Sequence, residues 1–453
     1  MTNAENIFRF ATMQEERGGI SPAAEDSIAL LFAERHALEL RYCAAWGRWL
    51  GYDGTRWRHD TTLHAFDYVR VVCREIAASH EKLASVIASA KTVAAVERLA
   101  RADRRLAATA AQWDADPWGF TAEDATVELR TGIGRAPDAL DYITKKAACA
   151  CAPPGTPHPL WSSFLRVVTA DNDELRDFLQ RYVGYCLTGL TAEHVFVFAY
   201  GTGANGKSTF VNTIAGIFGD YATTAAMSTF LASNTEQHPT DLAKLHGARL
   251  VVAQETQKGR RWDEIKIKAL TGGDVITARF MRQDFFDYAP TFKLFICGNH
   301  KPRLASVDEA MRRRLLLVPF AVQIPPGERD LRLTAKLKAE WPAILRWCVT
   351  GALRWQAEGL APPAVVRDAT DEYLRDQDTV RQWMEDCTHD DSVTVFTRTA
   401  HLFASWRAWC EERNLKPGPE QGLTQALRDK GYERARDGKG RRGFLRIALA
   451  KET

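Results

Sequence analysis

Residues 195–219, VFVFAYGTGANGKSTFVNTIAGIFG, decide the fold. The first part, Val195–Tyr200, is continuously apolar, which is typical of a parallel strand covered on both faces. From Ser208 to Phe218 the apolar residues recur at helical spacing, and Gly219 is a suitable helix stop. A glycine-rich loop joins the two segments. Strand, loop and helix in this order predict an α/β fold.

The loop matches the phosphate-binding pattern GxxxxGK[ST]. Its glycines let backbone N–H groups surround phosphates, and the start of the following helix adds a positive dipole end. The pattern predicts that Lys207 reaches the β- and γ-phosphates and that Ser208 coordinates Mg²⁺. We therefore expect ATP and Mg²⁺ as cofactors, with ATP contacted by Gly201, Thr202, Gly203, Ala204, Asn205, Gly206, Lys207, Ser208 and Thr209.

A second apolar segment, RLVVAQE at 249–255, predicts a strand that ends in an acid. The carboxyl ends of parallel strands face the nucleotide in sheets of this kind. A carboxylate there can polarise the attacking water or hold Mg²⁺. Because residue 254 is Gln, we assign Glu255 to water activation and, with Ser208, to metal binding. The alternative is an exposed glutamate at a strand end.

Polar residues flank two further predicted strands, Phe292–Cys297 and Leu315–Phe320. Asn299 follows the first strand and can hydrogen-bond a γ-phosphate or water, although a turn asparagine is the simpler interpretation of this residue alone. MRRR at 311–314 precedes the second strand. These arginines form either a solvated edge or arginine fingers for the γ-phosphate of a neighbouring subunit, since guanidinium is planar and permanently charged.

Basic residues also lie between these strands, in KIKALTGGDVITARFMRQ at 266–283, around a Gly-Gly turn. A protruding cationic loop is suited to contact with a phosphate backbone. A solvated loop explains the composition equally well.

Composition limits the class of protein. The chain has 453 residues, 60 Lys+Arg against 57 Asp+Glu, a net charge of +3 and 45% hydrophobic residues. These values exclude a disordered, fibrous or polybasic chain, although a neutral total can contain a local basic face. The nine cysteines lack CxxC spacing, which favours free thiols in a reducing cytoplasm. We find no signal peptide and no membrane-spanning apolar run, and expect a cytoplasmic protein without a membrane partner.

Proline clusters and pattern changes predict four parts: a helical N-terminal domain at 1–158, a P-loop domain at 159–345, a helical connector at 346–380 and a winged-helix-like domain at 381–453. Within the first part, Asp53-Gly54 between aromatic segments predicts a hairpin over Trp49–Trp57. Its aromatic and basic residues are explained by packing in a small sheet, or by stacking on nucleic-acid bases.

The last part contains two predicted helices, Ala400–Glu411 and Leu423–Lys430, followed by a basic hairpin and a strand over Phe444–Leu449. This order is typical of a winged helix. Arg441 and Arg442 in the wing are expected to contact the phosphates of duplex DNA. A small packing domain with a solvated wing is the alternative.

Taken in order, five segments resemble the superfamily 3 helicases, and more closely the phage/plasmid primase–helicase family related to the poxvirus-type primase-helicases. The segments are GTGANGKST (201–209), RLVVAQET (249–256), KALTGGDVITAR (268–279), FKLFICGNHKPRL (292–304) and MRRRLLLVPF (311–320). The resemblance implies an AAA+-like ATPase core with a mostly parallel sheet, assembled as a ring, typically a hexamer, around DNA.

The resemblance also assigns roles to residues. It places Lys207 and Ser208 in Walker A, Glu255 in Walker B and Asn299 at the sensor position. It implies Arg314 as the arginine finger, with Arg313 as the alternative. The segment Arg279–Asp287 would include a DNA-contacting channel hairpin, in which Arg282 is the main contact, accompanied by Arg279, Lys266 and Lys268.

These expectations favour an ATP-driven ring helicase that replicates phage, prophage or plasmid DNA in a bacterial cytoplasm. Its partners would be single-stranded and forked DNA, further copies of the chain, and a separate primase or polymerase. Because the chain begins almost directly at the helical domain, we expect no primer synthesis. Two alternatives remain: an ATP-switched helicase loader or origin-remodelling ATPase, and a non-enzymatic DNA-binding module with a vestigial P-loop.

Overall fold

The computed structural model describes residues 21–450, with gaps at 234–239, 255–258, 283, 305–306, 391–394 and 414. Glu255, the predicted water-activating residue, therefore lies outside the described residues. Across the described part of the chain, no helix combines the length and hydropathy needed to cross a bilayer. All nine cysteines are free thiols.

The N-terminal region, residues 21–158, combines helices with two small sheets. The helices are α1 (Glu25–His36), α2 (His64–Ala78), α3 (Ala84–Ile87) and α4 (Ala90–Ala100). The first sheet, in the order β3-β2-β1-β4, contains β1 (Leu40–Cys43), β2 (Arg48–Tyr52), β3 (Trp57–His59) and β4 (Ala107–Ala108). The second sheet contains β5 (Gly119–Thr121), β6 (Thr126–Glu128) and β7 (Ile133–Arg135).

The hairpin predicted around Asp53-Gly54 is confirmed, because β2 and β3 pair antiparallel across it. The seven strands correct the expectation of a helical N-terminal domain. The rings of Trp57, Trp113 and Tyr142 pack against one another there, and the Trp57 indole donates to the Ala139 carbonyl. A small sheet buries such rings better than an amphipathic helix does.

The centre of the molecule is a five-stranded parallel sheet. Its region contains α5 (Pro159–Val168), α6 (Asp173–Leu187), β8 (Phe196–Tyr200), α7 (Lys207–Phe218), β9 (Ala222–Thr224), α8 (Thr240–Ala243), β10 (Leu250–Gln254), α9 (Glu264–Gly272), β11 (Ile276–Ala278), β12 (Phe286–Tyr288), β13 (Lys293–Gly298), α10 (Glu309–Arg312) and β14 (Leu315–Pro319). The strand order is β14-β8-β13-β10-β9, and every pairing is parallel. The predicted α/β class with a parallel sheet is confirmed.

The sheet is apolar on both faces, which explains the continuous apolar run in β8. Val197 and Ala199 belong to the apolar cluster that includes α6 and α7, whereas Phe196 and Phe198 belong to a second cluster around Trp262. All four strand residues are at most 1% exposed. Because neither face of the strand meets water, no alternation of polar residues occurs along it.

The C-terminal region contains α11 (Leu333–Leu337), α12 (Trp341–Glu358), α13 (Ala364–Gln377), α14 (Thr379–Cys387), β15 (Thr388–Asp390), β16 (Phe396–Arg398), α15 (Thr399–Glu412), α16 (Glu420–Asp429), β17 (Arg434–Arg436), β18 (Arg442–Leu445) and β19 (Ile447–Leu449). The connector boundary predicted at 345/346 falls inside α12. This helix packs closely against α6 at Gly184. A Cβ atom added to Gly184 would be 2.0 Å from the backbone nitrogen of Ala352, so the close approach requires glycine.

Both helices predicted near the C-terminus are present as α15 and α16, followed by an antiparallel sheet in the order β16-β18-β17. The single strand predicted over Phe444–Leu449 is wrong. Arg446 adopts a left-handed backbone conformation, with a φ of 67°, and divides the segment into β18 and β19. The two strands then pair with different partners, β16 and β15.

Candidate nucleotide-binding site

The loop between β8 and α7 is a tight turn. Gly203, Ala204 and Gly206 have φ values of 100°, 50° and 83°, in the left-handed region that favours glycine. A Cβ atom on Gly206 would lie 2.3 Å from Cγ1 of Val168, so α5 leaves room only for glycine. Within the described residues, the backbone N–H groups of residues 202–206 donate to no protein acceptor. The loop therefore presents free donors, as an anion cradle requires.

Lys207 is the first residue of α7 and is only 6% exposed. Its Nζ atom donates to Gly201 O at 2.8 Å, Asn205 Oδ1 at 3.0 Å and Asn299 Oδ1 at 3.3 Å. Burial lowers the pKa of this ammonium group, and the nearby Cys297 opposes that shift. The side chain is thus held above the carboxyl ends of the parallel strands, with its three hydrogens directed at oxygen atoms.

Asn205 connects this lysine with the edge strand of the sheet. Its Nδ2 atom donates to Phe320 O at 2.9 Å, while its Oδ1 atom accepts from Lys207. Phe320 N in turn donates to Tyr200 O, and Ile324 N donates to Ala204 O. The segment that follows β14 is therefore joined to the loop by two hydrogen bonds and to the end of β8 by a third. The loop motif predicts Asn205 at the site, but no local sequence signal indicates this bridge.

The strand order explains why Asn299 lies beside Lys207. β13 is the neighbour of β8, and Gly298 pairs with Tyr200, so the residues after both strands meet at one edge of the sheet. β10 is the next strand, and its last residue, Gln254, donates to Asn212 Oδ1 at 2.8 Å. Glu255 follows Gln254 directly, and its own position is outside the described residues.

The residues present fit a nucleotide with a divalent cation. Ser208 is exposed at the second position of α7, and its hydroxyl makes no hydrogen bond to the described residues. The described residues contain no group of three or more His, Cys, Asp or Glu able to hold a metal. This donor set is consistent with Mg²⁺ bound through one hydroxyl and phosphate oxygens, as in other phosphate-binding loops.

The three arginines before β14 differ in their contacts. Arg312 pairs with Asp371 at 3.1 Å and with Glu309 at 3.8 Å. Arg314 donates to Ala310 O at 2.9 Å, and its Nε atom is buried without a partner among the described residues. Arg313 is exposed, and in the described part of the chain its side chain makes no hydrogen bond or ion pair. Arg313 is thus the arginine most accessible to a neighbouring subunit.

The predicted hairpin is present, because β11 and β12 pair antiparallel with Ala278 opposite Phe286. Its tip carries Arg279, whose guanidinium lies 4.6 Å from the ring centroid of Phe285, and the exposed Arg282. Met281 is 71% and Phe285 58% exposed. The sequence pattern indicated the arginines but not these apolar residues, although Met281 lies between Arg279 and Arg282.

The two lysines of α9 are not free at this surface. Lys266 pairs with Asp263 at 3.3 Å, and Lys268 pairs with Asp308. Asp263 and Asp308 are the N-cap residues of α9 and α10. Each lysine therefore pairs with a carboxylate that caps a helix. The structure therefore does not bring Lys266 and Lys268 together with the arginines as free cations.

The wing residues also divide into two kinds. Arg441 pairs with Asp437 at 2.6 Å, and its backbone N–H donates to the same carboxylate. Arg442 begins β18 opposite Arg436, and both are exposed. The C-terminal region thus has a basic edge on β17 and β18 in which Arg441 is partly neutralised.

Comparisons with known proteins support this description. A family model described as "D5 N terminal like" matches residues 29–170, and a family of unknown function, DUF5906, matches residues 199–314. The chain is 25% identical over 268 residues to helicase-named protein L207/L206 of Acanthamoeba polyphaga mimivirus. It is 26% identical over 273 residues to helicase-named protein 022R of Frog virus 3 (isolate Goorha).

These alignments cover 55% and 54% of the chain but only 28% and 27% of the two viral relatives. The fold is similar to that of the C-terminal region of NrS-1 in two apo structures. Their TM-scores are 0.53 and 0.55 at 9% and 8% identity, with 95% of this chain and all of that region covered. At such low identity, this similarity concerns the fold alone.

Proposed function

We propose that this chain, which belongs to the D5-like primase-helicase family, is an ATP-dependent DNA helicase whose nucleotide site is the loop at 201–209. The observation that carries the proposal is the position of Lys207. This lysine lies within 3.3 Å of groups from both strand ends, Gly201 O and Asn299 Oδ1. A buried cation beside free loop amides is suited to a polyphosphate.

In this proposal the backbone amides of the loop bind the phosphates, and Lys207 stabilises charge that develops on the β- and γ-phosphates. Ser208 holds Mg²⁺, which supplies charge neutralisation when bound. Asn299 orients the γ-phosphate or the attacking water, and Glu255 accepts a proton from that water. Glu255 belongs here because it directly follows β10, one strand beyond Asn299.

We further propose that the site is completed by a second copy of the chain. Arg313 is exposed and without a side-chain partner among the described residues, whereas Arg314 is tied to Ala310 O. These contacts favour Arg313 over Arg314 as the arginine finger that stabilises the transition state in trans. A closed ring, such as a hexamer, is the assembly in which every subunit can serve its neighbour.

Single-stranded DNA is the proposed substrate of the β11–β12 hairpin. Arg279 and Arg282 supply charge for phosphates, the exposed Phe285 supplies a ring on which a base stacks, and Met281 adds an apolar surface. Arg441, Arg442 and the basic edge of the C-terminal region are proposed to contact duplex DNA near a fork. We also propose that a separate primase or polymerase is a partner of this chain. The DNA that it replicates is proposed to be a phage or plasmid replicon.

The second candidate is a helicase loader or origin-remodelling ATPase. The basic C-terminal edge is compatible with this candidate, because a duplex-binding module next to an ATPase suits either role. A non-enzymatic DNA-binding module is disfavoured by the buried and fully hydrogen-bonded Lys207.

The test is steady-state ATP hydrolysis with and without single-stranded DNA. We expect hydrolysis that DNA stimulates in the wild type, and loss of at least about a hundredfold in Lys207→Ala, since the charge on the phosphates is then uncompensated. A folded wild-type protein that hydrolyses no ATP would contradict the proposal and favour the non-enzymatic module.

A further inference from the structure

Lys301 lies two residues after Asn299 and is not explained by any role described above. Its ammonium group is 4.1 Å from the ring centroid of Tyr200 and 5.8 Å from that of Tyr373. Burial lowers the pKa of Lys301, and the nearby carboxylates of Glu372 and Asp376 oppose that shift. A cation between two aromatic rings and two carboxylates is a built environment, in contrast to a solvated surface lysine.

The first ring belongs to the strand that leads into the nucleotide loop. Tyr200 is the last residue of β8 and immediately precedes Gly201, whose carbonyl accepts from Lys207. Lys301 itself follows β13 and the Asn299 side chain that also accepts from Lys207. The contact between Lys301 and Tyr200 therefore connects the two chain segments that hold Lys207.

The second ring belongs to α13. The buried hydroxyl of Tyr373 donates to the carbonyl of Pro302, and Gln377 Oε1 accepts from Leu304 N at 3.2 Å. The segment after Asn299 is thus attached to one helix by two hydrogen bonds in addition to the Lys301 contact.

The same helix also contacts the other side of the site. Thr370 accepts from Leu317 N of β14 at 2.9 Å, and Asp371 pairs with Arg312 at 3.1 Å. α13 is therefore attached both to the segment after Asn299 and to the segment that carries Arg313. A rearrangement of either segment must involve this helix or break these contacts.

We propose that Lys301 is a positioning residue that fixes the Asn299 segment against Tyr200 and α13, so that Asn299 is aligned with the γ-phosphate during hydrolysis. The inference rests on the proposed ATPase function. Lys301 touches neither Lys207 nor the loop amides, so it acts on the alignment of Asn299 and leaves nucleotide binding to the loop.

The experiment compares steady-state ATP hydrolysis in the full chain and three variants. Lys301→Met keeps the length and apolar stem but removes the charge, and Lys301→Arg restores a cation over the rings. Lys338→Met is the matched control, since Lys338 is an exposed lysine 5.6 Å from the Trp341 ring and away from the nucleotide loop. Thermal unfolding of each variant shows whether it is folded.

We expect Lys301→Met to lower kcat about tenfold while the KM for ATP stays within about twofold, because misalignment of a catalytic group affects the chemical step more than binding. Lys301→Arg should recover most of the rate, and Lys338→Met should match the wild type. An unchanged kcat in folded Lys301→Met, or equal loss of kcat and of ATP affinity, overturns the inference. A wild type without ATP turnover instead overturns the proposed function on which the inference rests.

Discussion

Asn205 is a single side chain that connects two elements of the proposed nucleotide site. Its amide nitrogen donates to Phe320 O, and its amide oxygen accepts from Lys207. Asn205→Asp keeps the shape and the acceptor but replaces the donor with an oxygen that faces the Phe320 carbonyl. We expect the Kd of a fluorescent ADP analogue to rise about tenfold, equal to about 1.4 kcal/mol, since a buried carbonyl then loses its partner. An unchanged Kd would show that the bridge does not shape the loop.

Lys293, at the start of β13, is a buried cation outside the proposed nucleotide site. Its ammonium group donates to the carbonyls of Thr188, Leu190 and Thr291. Burial lowers its pKa to about 7, whereas the pKa of a lysine in an unfolded chain is about 10.4. Between these values the unfolded chain binds more protons than the folded protein, so this group makes the free energy of unfolding rise with pH.

Lys293→Met removes that contribution. We expect the difference in unfolding free energy between wild type and Lys293→Met to grow from about pH 7 to about pH 9, by at most about 1.4 kcal/mol per pH unit. Urea unfolding at several pH values measures it. As a control, the exposed Lys338→Met should differ from the wild type in unfolding free energy by the same amount at every pH. A difference for Lys293→Met that does not change with pH would refute the pKa shift.

At the scale of elements, the β11–β12 hairpin exposes apolar side chains that the core does not need. Phe285→Ala combined with Met281→Ala removes the stacking ring and the apolar surface but leaves both arginines. Base–aromatic stacking is worth about 1–3 kcal/mol per base, so we expect the Kd for a labelled oligothymidine to rise about tenfold, with ADP affinity unchanged. Fluorescence anisotropy measures both.

The control for the hairpin is Leu331→Ala, because Leu331 is 96% exposed and lies outside the hairpin, in the segment before α11. This variant should bind single-stranded DNA like the wild type. Equal DNA affinity of the hairpin variant and the wild type would exclude base stacking at the tip.

The elements that sequence reasoning predicted well are those with a local pattern. The run Val195–Tyr200 and the loop up to Ser208 each encode their conformation through residues that are adjacent in the chain. The β2–β3 hairpin was predictable for the same reason, since its Asp-Gly turn is local. The local pattern was sufficient to predict Lys207 in the loop, whereas the sensor position of Asn299 was implied by the family resemblance.

The features that the sequence did not predict depend on contacts between residues that are far apart in the chain. No local signal pairs Lys268 with Asp308, and this ion pair means that Lys268 is not a free cation in the structure. Likewise, Arg313 and Arg314 are adjacent and chemically identical, and only the packing around α10 leaves one exposed and ties the other to a carbonyl. The bend at Arg446 also depends on tertiary pairing, because β18 and β19 join different strands.

At the scale of the whole molecule, the proposal of a site shared between subunits predicts complementation. Lys207→Ala and Arg313→Ala should each abolish ATP hydrolysis, because one loses the phosphate ligand and the other the finger for its neighbour. In an equimolar mixture that exchanges subunits, about a quarter of the interfaces combine an intact Lys207 with an intact Arg313. We therefore expect roughly a quarter of the wild-type rate to return.

The same mixture made with Arg314→Ala identifies the finger. If Arg313 is the finger, ATP hydrolysis returns in the mixture of Lys207→Ala with Arg313→Ala, and Arg314→Ala alone keeps substantial activity. This result would agree with the exposed position of Arg313. A mixture no more active than its separate components would contradict a shared site.

We propose above that this chain uses ATP hydrolysis to separate DNA strands. Strand displacement on a forked duplex with a fluorescent label tests it most directly, with wild type and Lys207→Ala assayed in the presence and absence of ATP. We predict that the wild type displaces the strand only when ATP is present, and that Lys207→Ala displaces none. A wild type that hydrolyses ATP and binds the fork but displaces no strand would contradict the claim and favour a loader or remodelling ATPase.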